Sequence, residues 1–412
     1  MCRGGFHSVA GEVLHGSMVI KTNTKVIFAL ALVHFTGDFY GAFLTPLLPL
    51  FVDNLGLTLT QVGFLAGISR FLAFVVQPTA GYIADHYRTR FFLLGGPLLA
   101  TVFMPLIGVA PSFLVLLLFV SLGSIGVSMF HPTSAGMVSQ YAGTHAGLSM
   151  SFFNLGGTLA FGLGPVFIAF FVHSFGLRAS PWTMLFGLAL TAFLFKIVPL
   201  PTTEGLAKLG FLGSIREAFG AVWKPIFTLW AIMVLRAFAG QTFMTFIPIY
   251  YAGEGFSLLS IGIIVALFSV AGAMSGVLAG HLSDRFGYKP VFFCSHALAG
   301  PSLYLLLIAP GHWAYVSAFL AGFFVMASLP LGVTMAQEIA PKGKSMVSSL
   351  MMGLAWGTGG MMAPLAGKMA DIFSIRPVLA FLAIIPLLSI GLIAMLPGRG
   401  ERTRAVSPSG LD

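Results

Sequence analysis

Long apolar runs dominate this chain and restrict it to one class of fold. Of its 412 residues, 57% are hydrophobic and only 8% are charged, whereas a soluble domain carries about 25% charged residues. A helix needs about 20 apolar residues to cross a bilayer. The sequence therefore predicts an all-α integral membrane protein with twelve transmembrane helices. They are predicted near residues 26–51, 60–83, 91–110, 112–138, 147–173, 181–199, 225–251, 258–282, 290–309, 312–337, 345–370 and 377–396.

The chain also repeats itself at an offset of 199 residues. Gly63 recurs as Gly262, and Gly81 recurs as Gly280. Each copy follows a long apolar run and ends in a polar segment with one carboxylate and two cations. Duplicated halves of this kind are typical of secondary transporters. We predict two pseudo-symmetric halves of six helices each.

The repeat divides the chain into five segments. Residues 1–25 are predicted to form a cytoplasmic extension, because they lack the apolar core and cleavage site of a signal peptide. Residues 26–199 and 224–397 form the two halves, and residues 398–412 form a cytoplasmic tail. The linker 200–223 is either a surface helix that lies on the membrane or a solvated connection.

The distribution of cations predicts the orientation in the membrane. The net charge is +9, and sixteen of the 21 Lys and Arg lie in segments on the side of the two termini. Cytoplasmic loops carry an excess of Lys and Arg, so both termini are predicted to be cytoplasmic. The same charges attract anionic lipid headgroups, and no nucleic-acid partner is needed to explain them.

Asp38 is the residue that most strongly indicates a mechanism. Of twelve acidic residues, it alone lies deep within a predicted spanning helix. Charge inside hydrocarbon is costly, so such a residue is a functional candidate by default. Burial favours the neutral carboxyl, so Asp38 can bind and release a proton. His34 lies one turn earlier on the same helix face and can share or relay that proton. A structural ion pair or polar contact is the alternative.

Two arginines lie at comparable depth. Arg70 is in the second predicted helix and Arg236 in the seventh, where the repeat offset matches it to Gly37, the neighbour of Asp38. One hypothesis is that they neutralise Asp38. The other is that they bind an anionic substrate, since guanidinium groups bind carboxylate or phosphate oxygens bidentately. Two cations against one carboxylate favour the second hypothesis for at least one arginine.

His131 and Gln241 are further candidates for substrate contact. His131 precedes Pro132 in the fourth predicted helix, and a proline within a helix frees a carbonyl and bends the helix. His131 can therefore face the cavity at a kink, although a histidine satisfied by a neighbouring helix is an equal alternative. Gln241 follows Arg236 by little more than one turn and can form hydrogen bonds with a substrate.

The polar ends of the repeats are candidates for a cytoplasmic gate. Charge pairs and helix dipoles there can form in one orientation and break in the other, and the weakness of exposed pairs suits a bistable latch. Glycine followed by proline in the fifth helix permits close packing and bending, although plain packing is the commoner reason for such residues. The candidate gate residues are Gly81, Asp85, Arg88, Arg90, Gly280, Asp284, Arg285, Lys289, Gly164 and Pro165.

The segment from Gly280 to Gly287 matches Gly-x-x-x-Asp-Arg-x-Gly, the signature of the major facilitator superfamily, whereas the copy that starts at Gly81 has diverged. Within that superfamily the chain resembles the fosmidomycin resistance family of bacterial exporters. The resemblance spans most of residues 26–397. It rests on His34-x-x-x-Asp38, Phe130-His131-Pro132, Gln337-Glu338-x-x-Pro341, Met346-Val347-Ser348 and the glycine-rich run Gly353 to Gly360.

The resemblance implies a proton-driven antiporter of the bacterial inner membrane that expels small molecules, with a phosphonate antibiotic as the type substrate. An anionic substrate agrees with the surplus of buried cations. The alternatives are proton-coupled uptake of an anionic metabolite and a non-transporting membrane sensor. We expect neither an enzyme nor a metal or cofactor, because the sequence contains no metal-ligand cluster, phosphate-binding loop or nucleophile elbow. A monomer is the expected state.

Overall fold

The computed structural model describes residues 13–14, 17–18, 22–86, 90–143, 145–200, 222–340 and 350–397. Most of the N-terminal extension, nearly all of the linker, the C-terminal tail and Arg88 lie outside these residues.

The first half contains α1 (Thr24–Gly41), α2 (Leu44–Leu55), α3 (Leu59–His86), α4 (Phe91–Leu106), α5 (Phe113–Tyr141), α6 (Ala146–Phe175) and α7 (Met184–Ile197). The second half contains α8 (Trp223–Gly253), α9 (Leu258–Phe286), α10 (Tyr288–Ile308), α11 (Trp313–Met326), α12 (Ser328–Ile339), α13 (Ala355–Met361), α14 (Ala363–Phe373), α15 (Ile375–Leu382) and α16 (Ile385–Ala394). Ahead of α1, the two-residue strands β1 (Val13–Leu14) and β2 (Ser17–Met18) pair antiparallel.

The membrane prediction is confirmed for all but one of the predicted runs. Within the described residues, eleven helical stretches are long and apolar enough to cross a membrane, and each coincides with a predicted helix. The remaining run, 345–370, begins outside the described residues. Its described part is a π-helix, Leu350–Leu354, followed by the short helices α13 and α14. Proline lacks the N–H that a continuous helix needs, so the helix is interrupted just before Pro364.

Large apolar side chains cover much of the outer surface. Leu114 is 72% exposed, Val277 79% and Phe381 69%. In water such a surface would drive aggregation, whereas in a bilayer it contacts acyl chains at no cost. The exposed faces are therefore consistent with the transmembrane assignment.

Two glycines of the sequence repeat, Gly63 and Gly262, lie where the two halves touch. A Cβ added to Gly63 of α3 would lie 2.6 Å from the carbonyl oxygen of Ala363 at the start of α14. A Cβ added to Gly262 of α9 would lie 2.8 Å from the carbonyl oxygen of Pro165 in α6. Only glycine permits such close approach of two helices. The repeat thus marks two equivalent contacts, α3 with α14 and α9 with α6, between the halves.

Candidate functional site

Asp38 lies in the middle of the first half, between two histidines. It is 1% exposed on α1. One turn earlier, His34 places its Nε2 atom 3.1 Å from Asp38 Oδ2, the contact that the i, i+4 spacing predicts. From α5, His131 places its Nε2 atom 3.2 Å from Asp38 Oδ1. The buried carboxylate therefore contacts one imidazole on each side.

The partners of His34 define where its hydrogens lie. The Nδ1 atom is 3.0 Å from the carbonyl oxygen of Phe153, and a carbonyl oxygen can only accept, so Nδ1 carries a hydrogen. The Nε2 atom then faces Asp38 Oδ2. Two bare lone pairs would repel each other at 3.1 Å, so this contact needs a proton between the imidazole and the carboxylate. The pair has the geometry of a proton-binding site.

His131 connects that pair to the surroundings. Its side chain is 29% exposed, whereas those of His34 and Asp38 are 10% and 2% exposed. Its ring stacks on Phe130 with the centroids 4.2 Å apart, and Pro132 follows it within α5. A partly exposed imidazole beside a buried carboxylate can pass protons to and from it.

The same three side chains satisfy the spacing for a metal ion. The ligand atoms of His34, Asp38 and His131 lie within 4.8 Å of one another. Two imidazole nitrogens and a carboxylate oxygen are suitable ligands for zinc or iron. Among the described residues, no other group of histidine, cysteine and acidic side chains has this spacing.

Arg70 of α3 lies close enough to Asp38 to interact with its charge. The arginine is half-buried, and its aliphatic stem packs on Gly360 of α13. In the part of the chain that the structure describes, it has no carboxylate within ion-pair distance. Its guanidinium therefore remains available for another anion.

Arg236 lies deeper, within the second half. It is 3% exposed on α8, and its Nη1 atom is 3.4 Å from Met326 Sδ at the end of α11. Its Nε atom has no hydrogen-bond partner among the described residues. Gln241 is likewise buried on α8.

His296 is a buried ionisable residue that our sequence analysis did not single out. It lies on α10, is 2% exposed and interacts electrostatically with Arg236. Its Nδ1 atom donates to the carbonyl oxygen of Phe292 at 2.9 Å, while Nε2 has no partner within the described residues. Its place inside a predicted spanning helix, the criterion that identified Asp38, would have found it.

The candidate gate residues are only partly described. Asp284 and Arg285 are exposed at the end of α9. Lys289 donates to the carbonyl oxygens of Ala394 and Leu396 at 2.6 and 3.0 Å, which stabilises the C-terminal end of the last helix. The surroundings of Gly81 and the side chain of Asp85 lie outside the description, as does all of Arg88, so the charge-pair latch stays a prediction.

The remaining gate candidates make contacts within and between the halves. Arg90 is half-buried just before α4, and its Nε atom has no hydrogen-bond partner among the described residues. A Cβ on Gly164 would lie 2.7 Å from the carbonyl oxygen of Phe39 in the same half, so this glycine permits α6 to pack on α1. Pro165 contacts Gly262 of the other half, and a Cβ on Gly280 would have no neighbour within 4 Å among the residues that the structure describes.

An unpredicted contact joins the halves on the face opposite the termini. Asp371 of α14 accepts hydrogen bonds from the backbone N–H groups of Leu59 and Thr60 at 2.8 and 3.0 Å, and from the Thr60 hydroxyl. Those amides are the unpaired donors of the first turn of α3, where the helix dipole favours a carboxylate. Asp371 therefore ties the second half to the first.

We expect Asp371→Asn to loosen this contact. Burial alone would raise the pKa of Asp371, but hydrogen bonds from Thr60 and Leu59 and the charge of Lys368 outweigh it and lower the pKa. The contact is therefore complete at neutral pH and is lost only as the pH falls through this lowered pKa. Hydrogen–deuterium exchange in the first turn of α3 should be a few times faster in the variant. Unchanged exchange there, or equal acceleration in Asp53→Asn, an exposed carboxylate on α2, would contradict the prediction.

Two helical halves, tied by matched glycine contacts and holding charged groups deep among spanning helices, define a multi-pass membrane transporter. The model of the Major Facilitator Superfamily matches residues 28–278 and 229–410. The chain belongs to this superfamily. Its relatives and its fold are those of transporters rather than enzymes.

Two relatives and one solved structure illustrate the similarity. The chain is 27% identical over 380 residues to the fosmidomycin resistance protein of Escherichia coli (strain K12), covering 90% of this chain and 92% of that one. It is 26% identical over 393 residues to a probable sulfoacetate transporter of Cupriavidus necator, with coverages of 84% and 86%. A bacterial homologue of the human lysosomal transporter Spinster, inward-facing and unoccupied, aligns with a TM-score of 0.77 at 17% identity over 94% of this chain and 99% of that one. That last likeness concerns the fold alone.

Proposed function

We propose that the protein is a proton-coupled antiporter that exports a small organic anion across the bacterial inner membrane, as a monomer with both termini in the cytoplasm. The observation that carries the proposal is the contact between His34 and Asp38. It is buried, it needs a proton, and it is joined to partly exposed His131. An ionisable cluster inside a membrane is costly, so its presence there favours a function.

The anionic substrate is supported by the surplus of deep cations. Arg70 and Arg236 lack carboxylate partners within ion-pair distance among the described residues, and a bound anion would balance their charge. Fosmidomycin and sulfoacetate, named in the descriptions of two relatives, both carry acidic groups. We assign the acidic group of the substrate to Arg70 first, because Arg70 is half-buried and Arg236 is enclosed.

The resistance relative and the proton gradient support export as the direction of transport. A resistance protein lowers the internal concentration of its drug, and protons run inward down their gradient. Export powered by those protons must therefore be exchange. In this scheme the halves alternate by rocking at the α3–α14 and α9–α6 contacts, with the proton and the anion crossing in opposite directions.

One observation favours the second candidate, proton-coupled uptake. The charge of Asp38 reaches Arg70. Neutralising Asp38 with a proton would strengthen the attraction of Arg70 for an anion, so that proton and anion would bind together. Binding of both on one side leads to co-transport rather than exchange.

The sign of the coupling separates the two candidates. Proteoliposomes would hold a pH-sensitive dye, with the membrane potential clamped by potassium and valinomycin, and would receive fosmidomycin or sulfoacetate outside. Exchange predicts that anion entry raises the internal pH, whereas co-transport predicts a fall. These signs hold for either orientation of the protein in the vesicle. Anion entry with no pH change would contradict proton coupling, and protein-free liposomes serve as the control.

A further inference from the structure

Arg70 is held by an aromatic ring from the other half of the molecule. Its Cζ atom lies 5.2 Å from the ring centroid of Trp356. Arg70 belongs to α3 in the first half, and Trp356 belongs to α13 in the second. A guanidinium over an indole face is attracted by the electrons of the ring. The contact therefore bridges the two halves.

Two glycines of α13 allow this bridge to form. A Cβ on Gly360 would lie 2.4 Å from the Cγ atom of Arg70, and one on Gly357 would lie 3.0 Å from the Cβ atom of Phe74. Larger residues would push the arginine stem away or separate α13 from α3. By contrast, a Cβ on Gly353, one turn before Gly357, would meet no atom of the described residues within 4 Å.

The contact between the two residues leaves hydrogen-bond donors of both available. A guanidinium has five N–H donors in a planar fork, so those that do not point at the ring can bind an oxoanion. The indole Nε1 atom of Trp356 is buried without a hydrogen-bond partner among the described residues. Buried donors are rarely left unpaired. An oxoanion beside Arg70 would supply acceptors for both groups.

We propose that Arg70 and Trp356 together form the subsite for the acidic group of the substrate, a carboxylate, phosphonate or sulfonate. Trp356 positions the guanidinium and adds one donor of its own. The inference rests on the proposed function in one respect, that Arg70 binds the substrate anion. Because the two residues belong to different halves, the subsite is complete while α3 and α13 are adjacent and incomplete once they separate. Binding is therefore tighter in one orientation of the transporter than in the other.

The test compares Trp356→Leu, which removes the ring, with Trp356→Phe, which keeps a ring and removes the N–H. Binding of fosmidomycin, sulfoacetate and succinate to the purified full-length chain would be measured by calorimetry. We expect Kd to rise about tenfold in the leucine variant, with a smaller rise in the phenylalanine variant. Counterflow should show the same rise in KM, with the maximal rate nearly unchanged. A wild-type Kd in the leucine variant would overturn the proposal, as would failure of the wild type to bind any of the three anions.

Two further substitutions, at Gly360 and Arg70, separate the role of Trp356 from the proposed binding of the substrate anion by Arg70. Gly360→Ala displaces the Arg70 stem and should weaken binding as Trp356→Leu does, whereas Gly353→Ala should leave it unchanged. If Arg70→Gln abolishes binding while both the leucine and Gly360 variants bind normally, the role of Trp356 is wrong and anion binding by Arg70 stands. If Arg70→Gln binds normally, the anion lies elsewhere and the subsite is wrong.

Discussion

Asp38→Asn is expected to abolish proton-driven transport while leaving the fold intact. Asparagine has the size of aspartate but does not titrate, so the carboxylate that binds and releases the proton beside His34 is lost. The amide can still form hydrogen bonds with both histidines, which preserves the packing. A gradient of two pH units is worth about 2.7 kcal/mol. It supports up to about 100-fold accumulation in one-for-one exchange, and we expect none in the variant.

The measurement is accumulation of radiolabelled anion in proteoliposomes with an imposed pH gradient. Asp53→Asn is the matched control, because Asp53 is an exposed carboxylate on α2 of the same half. Exchange of labelled for unlabelled anion, which needs no net proton movement, should survive in Asp38→Asn. Full gradient-driven accumulation in that variant would rule out Asp38 as the proton carrier and direct attention to His131 or His296.

Gly157→Ala is expected to weaken coupling without changing any ionisable residue. A Cβ at this position of α6 would lie 2.5 Å from His34 Nε2, the atom that contacts Asp38. The ring cannot retreat easily, because Phe153 lies against it with the centroids 4.2 Å apart and accepts its Nδ1 hydrogen bond. His34 must therefore move away from Asp38. We expect gradient-driven accumulation to fall about tenfold, the effect of losing roughly 1.4 kcal/mol from a charge-assisted hydrogen bond.

Gly136→Ala is the control for this substitution, because a Cβ at Gly136 of α5 meets no atom within 4 Å in the described part of the chain. Its transport should equal that of the wild type. The thermal stability of both variants would be measured alongside, since loss of folding in Gly157→Ala would also lower transport. A well-folded Gly157→Ala protein with wild-type coupling would show that the His34–Asp38 contact is dispensable.

Two features could be predicted because they depend only on residues that are close together in the chain. The spanning helices follow from runs of apolar residues, and the contact between His34 and Asp38 follows from a spacing of four within one helix. Both properties depend on neighbours in the chain. The interruption between residues 350 and 373 was missed, because hydropathy measures the length of an apolar run and not the continuity of its hydrogen bonds.

Contacts between helices could not be predicted from the sequence in the same way. The sequence left open whether His131 contacts a substrate or is satisfied by a neighbouring helix, and the structure places it against Asp38, 93 positions away in the chain. The repeat offset relates Arg236 to Gly37, the neighbour of Asp38, and the structure adds that the guanidinium of Arg236 contacts Met326 of α11. The Asp371 contact joins residues about 311 positions apart. Each of these contacts depends on how a helix is rotated about its axis. Because apolar residues surround these helices on every side, the sequence does not show that rotation.

The sequence by itself therefore determined that this protein lies in a membrane, where its helices are and that its two halves are duplicated. It also identified the few deep charges, because charge is costly in hydrocarbon and such residues are rare there. Only the tertiary structure decided which of those charges meet. The hydrophobic effect does not orient one spanning helix against another in a bilayer, where close packing at small residues does so instead. Here Gly63, Gly157, Gly262 and Gly360 provide those close contacts.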